Sequence, residues 1–147
     1  MKRVLIKELK ENELSKISGF IETIRDTKYM IFIMLKDRTG KIQVSIEKSS
    51  NPELVKQLDG VLANSVASFT GKMVISEYVK QGGKEFLPDN LEILSQADAL
   101  PIDDTASIDT RMDYRWLDLR SEKNNLMLKV QSAFVAGMRG YLLDNDF

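Results

Sequence analysis

The chain has 147 residues, 43% hydrophobic and 29% charged, with a formal net charge of -1. This is the make-up of one globular domain plus an appendage, with no global field to draw in a polyanion. It contains no cysteine and no histidine. That excludes a disulfide framework, a thiolate zinc site and a Ser-His-Asp triad within these residues. The charge is uneven: residues 1–48 carry 11 Lys/Arg against 7 Asp/Glu, and residues 49–110 carry 4 against 10. The first third is therefore where a phosphate-facing patch is expected, with ordinary surface variation as the competing explanation. No apolar run reaches the length of a membrane span and the polar start is unlike a signal peptide, so a cytoplasmic chain without a membrane partner is expected.

Residues 17–25 (ISGFIETIR) are rich in β-branched and aromatic side chains and predict a strand, with Gly19 as the expected bulge or bend. Residues 29–36 (YMIFIMLK) predict a second strand, apolar on both faces. Ile31, Ile33 and Leu35 are assigned to the interior, and Met30, Phe32 and Met34 to the outside. Asp37-Arg38-Thr39-Gly40 is a hairpin turn. In residues 41–47, Ile42, Val44 and Ile46 alternate with Lys41, Gln43, Ser45 and Glu47, which predicts the third strand of a meander.

Asn51-Pro52 then opens a helix whose apolar residues Leu54, Val55, Leu58, Val61 and Leu62 fall at helical spacing. Residues 65–79 return to strand, interrupted at Gly71. A turn at 81–84 and a last strand at 85–94, bent at Pro88, complete the first part of the chain. Three strands, a helix and two strands predict a mainly β fold: the five-stranded Greek-key oligonucleotide-binding (OB) barrel with a helix between strands three and four. A split α+β sandwich is the alternative. The predicted division is an OB domain at 1–95, a polar and acidic linker or hinge at 96–121, and a helical segment at 122–147. In the last segment Met127, Val130, Phe134, Met138 and Tyr141 share one helical face.

No catalytic motif is present. No Gly-rich loop follows a strand and opens a helix, and Asp103-Asp104 reads as a solvated linker rather than a metal site. The first three strands are richer in chemistry. An outward Phe32 offers a stacking platform, since every base has a π-face; the alternative is that it packs under the helix or the N-terminal segment. Gln43 carries a donor and an acceptor that can read a base edge, Arg25 can meet phosphate or stack, and Glu85 can accept from a base amine or imino group. Each also reads as an ordinary surface residue.

Residues 109–120 (DTRMDYRWLDLR) resemble the signature that joins the anticodon-binding and catalytic domains of class II synthetases of the aspartate, asparagine and lysine group. The form D-T-R-x-D-x-R-x-x-D-L-R looks most like the aspartyl-tRNA synthetases of archaeal and eukaryotic type. Gly19-Phe20-Ile21, Arg25-Asp26, Phe32, the run from Lys36 to Gln43, and Glu85-Phe86-Leu87-Pro88 are similar to the barrel motifs of that family.

The resemblance implies that Phe32 stacks on the middle anticodon base, that Gln43 and Glu85 hydrogen-bond anticodon bases, and that Arg25 stands beside them. It implies tRNA as the partner, bound through its anticodon loop. It also implies a homodimer to which Met127, Val130, Phe134 and Met138 of the last helix contribute, that helix resembling the start of the first class II motif. The ATP and Mg of the full enzyme are implied for the catalytic domain; no catalytic residue, metal or cofactor is assigned to this chain. Archaeal members often carry Trp or His at a position that tunes acceptance of tRNA-Asp alone or also tRNA-Asn. Here that position is Glu22. A free-standing single-strand-binding module and a protein-interaction module are the competing functions.

Overall fold

A computed structural model describes residues 2–77, 79, 83–103 and 105–147. Five strands close a barrel in the order β1 (Leu14–Asp26), β2 (Met30–Lys36), β3 (Lys41–Glu47), β5 (Lys84–Ser95) and β4 (Val66–Ile75), with a helix α1 (Pro52–Gln57) between β3 and β4. All neighbours are antiparallel except β3 and β5, which run parallel. This is the OB topology expected from the order of elements. The chain divides into two compact units, Met1–Ala99, which holds the barrel, and Leu100–Phe147.

Closure depends on β1. Its first half, Leu14 to Phe20, pairs with β4, and its second half, Phe20 to Asp26, pairs with β2. The strand slips register by one residue between Ile21 and Thr23. The bulge therefore sits at Glu22, not at Gly19 as the sequence suggested. Gly19 serves a different need: an added Cβ would overlap the Lys36 carbonyl, because two backbones meet where β1 passes from one partner to the other. The extra residue at 22 also changes which side chains face in. Ile17 and Ile21 are buried before it, and Ile24 packs against the core after it. Arg25 is thereby turned outward.

The predicted interior residues of β2 and β3 fill the barrel: Ile31, Ile33, Leu35, Ile42, Val44 and Ile46 are all buried. Phe69 and Phe86 are the largest fully buried side chains, and Leu54 and Leu58 extend the core beneath α1. α1 is shorter than its apolar spacing suggested. It ends at Gln57 with Leu58 as its C-cap, and Gly60 follows with φ +72, a left-handed turn after which Leu62 is exposed. β4 runs unbroken through Gly71. The irregularity lies in its partner, where Asn90 pairs with Thr70 but Pro88 pairs with Gly71, and a Cβ at Gly71 would strike Leu87 and Pro88. The turn predicted at 81–84 lies partly outside the described residues, as does Asp104 of the Asp103-Asp104 pair.

The N-terminal segment is tied to the barrel through the hairpin turn at Asp37. Its carboxylate accepts from Ile6 N at 2.9 Å, Thr39 N at 2.6 Å, Thr39 Oγ1 at 2.7 Å and Gly40 N at 3.0 Å. Burial opposes the charge of Asp37, but these hydrogen bonds outweigh it and hold the carboxyl below its ordinary value.

In the second unit the signature segment forms α2 (Ile108–Asp113) and α3 (Arg115–Asp118), and α4 spans Glu122–Asp144. Asp118 is 3% exposed and accepts from Arg111 Nε at 2.7 Å and from Arg115 Nη1. The hydrogen bond from Arg111 outweighs its burial, the charges of both arginines add to it, and the carboxyl is held below its ordinary value. Asn124 Nδ2 donates to the Asp118 carbonyl at 3.0 Å, which fixes the entry into α4. The spacing R-x-x-x-R-x-x-D thus has a local cause: two successive short helices bring both guanidinium groups onto one carboxylate.

Candidate nucleic-acid interface

The outward residues of β1, β2 and β3 form rows across the sheet. Arg25, Phe32 and Ser45 are opposite one another in one row, Thr23, Met34 and Gln43 in the next, and Phe20, Lys36 and Lys41 in a third. The parallel pairing of β3 with β5 adds Glu85 directly beside Gln43. The four residues singled out from the sequence, Arg25, Phe32, Gln43 and Glu85, are therefore brought onto one face.

Phe32 is half-buried and absent from the core cluster, and its register with Arg25 and Ser45 places it on the outer side of the sheet. The Arg25 guanidinium stands over its ring, 4.7 Å from the centroid. A base that stacks on Phe32 shares that space with the guanidinium or displaces it. Gln43 Nε2 donates to Ser45 Oγ at 3.2 Å, and Ser45 Oγ donates to Glu85 Oε2 at 2.7 Å. The face thus combines an aromatic plane, a cation, an amide and a carboxylate. A single-stranded base needs stacking along one axis and edge-on hydrogen bonding across it, and these groups supply both.

Two features of this face were not read from the sequence. Ser45 is 3% exposed although it points outward, because it lies beneath the amide and carboxylate that it links. Its place in a strand of strict alternation marked it as a surface residue, and only its position two residues after Gln43 on the same side hinted at a contact. Glu22, on the bulge, forms ion pairs with Lys36 at 3.6 Å and Lys41 at 2.7 Å. Lys48 pairs with Asp26 at the other end of the sheet, and Lys28 covers the Tyr29 ring at 5.1 Å. Three lysines of the first third, Lys36, Lys41 and Lys48, are thus matched by neighbouring carboxylates.

The described residues of α4 carry the apolar positions Met127, Val130, Phe134 and Met138, and all four are exposed. Leu128, Val135, Leu142 and Leu143 are exposed as well. The apolar arc is wider than the single stripe expected, and covers more than half of the helix circumference at 100° per residue.

Residues 16–94 match the family of OB-fold nucleic acid binding domains. The chain belongs to that family. It is 34% identical over 139 residues to an aspartate–tRNA(Asp/Asn) ligase of Methanocorpusculum labreanum, which covers 90% of this chain and 32% of the relative. It is 35% identical over 145 residues to an aspartate–tRNA(Asp) ligase of Picrophilus torridus, covering 95% of this chain and 34% of the relative. It spans about a third of the length of the curated relatives it matches. Among solved structures, asparaginyl-tRNA synthetase from Pyrococcus horikoshii superposes with a TM-score of 0.86 at 24% identity, over 99% of this chain and 35% of that one. Aspartyl-tRNA synthetase from Entamoeba histolytica gives 0.82 at 22% identity, over 99% and 38%. These structures share the fold. The family resemblance drawn from the barrel motifs is borne out.

Proposed function

We propose that this chain recognises the anticodon loop of a tRNA, as the anticodon-binding domain of an aspartate–tRNA ligase. The observation that carries the reading is the convergence of Arg25, Phe32, Gln43 and Glu85 on one open face of an OB barrel. Similarity to aspartate–tRNA ligases along at least nine-tenths of the chain supports it. Phe32 stacks on one anticodon base, a contact worth about 1–3 kcal/mol. The Glu85 carboxylate accepts a hydrogen bond from a base that presents a ring N–H, as uracil and guanine do and cytosine and adenine do not. Gln43 adds a directional contact, and Arg25 meets phosphate or the exposed side of the stacked base.

In the whole protein, the reaction proposed is activation of aspartate with ATP and Mg followed by transfer to tRNA, in the cytoplasm. Among the described residues no three His, Cys, Asp or Glu side chains are grouped to hold a metal ion. By the family resemblance the ATP and Mg chemistry is assigned to the rest of the enzyme, and this chain alone is expected to give no aspartate-dependent ATP–pyrophosphate exchange. In this reading residues 1–95 bind the anticodon, 96–121 form the hinge, and 122–147 open the first class II motif at a homodimer interface.

The test is binding of RNA stem-loops with a G-U-C anticodon and with single-base changes, at one salt concentration. Phe32→Ala is expected to weaken every loop alike, and Gln43→Ala and Glu85→Ala to erode the choice between loops. If the parent prefers G-U-C no more than a scrambled loop, a single-strand-binding module without anticodon preference becomes the better reading.

A further inference from the structure

We infer that Ser45 is the positioning residue of the base-reading face: it sets which end of the Gln43 amide is turned toward the RNA and holds the Glu85 carboxylate beside it. The inference rests on the anticodon-loop reading above and deepens it.

The argument is one of hydrogen inventory. A serine hydroxyl has one hydrogen to give and lone pairs to accept with, whereas an ionised carboxylate can only accept. Ser45 Oγ lies 2.7 Å from Glu85 Oε2, so the single hydroxyl hydrogen is committed to Glu85. What remains at Ser45 toward Gln43 is a lone pair. Gln43 must then offer its NH2 rather than its carbonyl, which matches the Nε2 to Oγ contact at 3.2 Å. The amide oxygen is consequently the end directed away from Ser45, together with one remaining N–H. Without the hydroxyl, either end of the amide could face outward, and the face would accept donor and acceptor bases with little distinction.

Burial and register support the same role. Ser45 is 3% exposed, so it does not itself offer a contact surface to RNA, and a solvent molecule has little room to replace its hydroxyl. It stands directly opposite Phe32 across the β2–β3 pairing, and Glu85 comes to it from 40 positions away in the sequence. The serine is thus placed at the junction of the stacking platform and the two edge-reading groups. An apolar side chain there would leave both without their inner partner.

The test uses the 147-residue chain with Ser45→Ala and Ser45→Thr, the second retaining the hydroxyl. The probes are the G-U-C stem-loop and its single-base variants. The parent is expected to favour its cognate base at one position by about tenfold or more, the size of one unpaired hydrogen-bonding group. Ser45→Ala should lose most of that preference while binding the mismatched loops within about twofold of the parent, since stacking on Phe32 is insensitive to base identity. Ser45→Thr should restore the preference. In the RNA-free protein, the side-chain amide resonances of Gln43 should shift in Ser45→Ala and return toward their parent positions in Ser45→Thr. Retained preference in Ser45→Ala overturns the inference and leaves the anticodon reading standing. An equal loss for all loops overturns it too, because it marks a purely structural role. A parent without any preference overturns the anticodon reading, and unchanged Gln43 resonances in Ser45→Ala overturn the positioning role whatever the RNA results.

Discussion

The barrel and the last helix use apolar side chains in opposite ways. In the barrel, Ile17, Ile33, Leu35, Val44, Phe69 and Phe86 are fully buried, and among the described residues every buried side-chain nitrogen or oxygen has a partner. In α4, Phe134 is 68% exposed, Val130 61% and Leu143 65%. One region encloses its core by closing a sheet on itself; the other leaves large apolar side chains exposed. Closure makes the barrel self-sufficient, so its outer face is free to carry binding chemistry. A helix apolar over more than half its circumference gains its stability from what covers it.

The largest expected effect separates the two regions directly. Phe69→Ala should destabilise the barrel by about 3–5 kcal/mol in urea unfolding followed by a barrel probe, because a ring is removed from a closed interior. Phe134→Ala, an equal truncation on α4, should move the same transition by less than about 0.5 kcal/mol. Comparable shifts would mean that the two regions unfold as one body and that α4 is covered after all.

Self-association is the next contrast. The exposed arc on α4 is expected to make the chain associate with rising concentration in sedimentation. Replacing Met127, Val130, Phe134 and Met138 together with Ser should reduce that association and leave the barrel transition in place. A chain that stays monomeric at high concentration with α4 helical would remove the dimer proposal.

On the barrel's outer face, Arg25→Ala should weaken all stem-loops by a similar factor and lower the salt dependence by about one phosphate contact. A change of base preference instead would show that the guanidinium over Phe32 acts through stacking.

The smallest effect is a pH dependence. The Asp37 carboxyl is held below its ordinary value in the folded barrel. Its contribution is therefore fully present above that ordinary value and is lost as pH falls through the lower folded one. Asp37→Asn should remove about 1 kcal/mol at neutral pH and flatten the acid side of the stability curve. Asp118 has the same sign in the second unit: acid should release Arg111 and Arg115, and helical signal from α2 and α3 should fall without loss of the barrel.

Much of this was legible in the sequence because it depends on local periodicity. Alternation in 41–47 placed Ile42, Val44 and Ile46 inside and Gln43 outside, and β3 has the predicted bounds. The apolar spacing within 122–147 gave α4, which runs from Glu122 to Asp144. The order of strands and helix was enough for the OB topology. Three things were settled by the tertiary structure alone. Arg25 faces outward because a residue is added at Glu22, and periodicity along an isolated strand carries no record of such a slip. Glu85 lies beside Gln43 because β3 and β5 pair in parallel, a contact between distant segments that no local pattern encodes. Ser45 is buried because those two partners cover it. Side-chain alternation says which way a residue points; what it meets there is decided when the barrel closes.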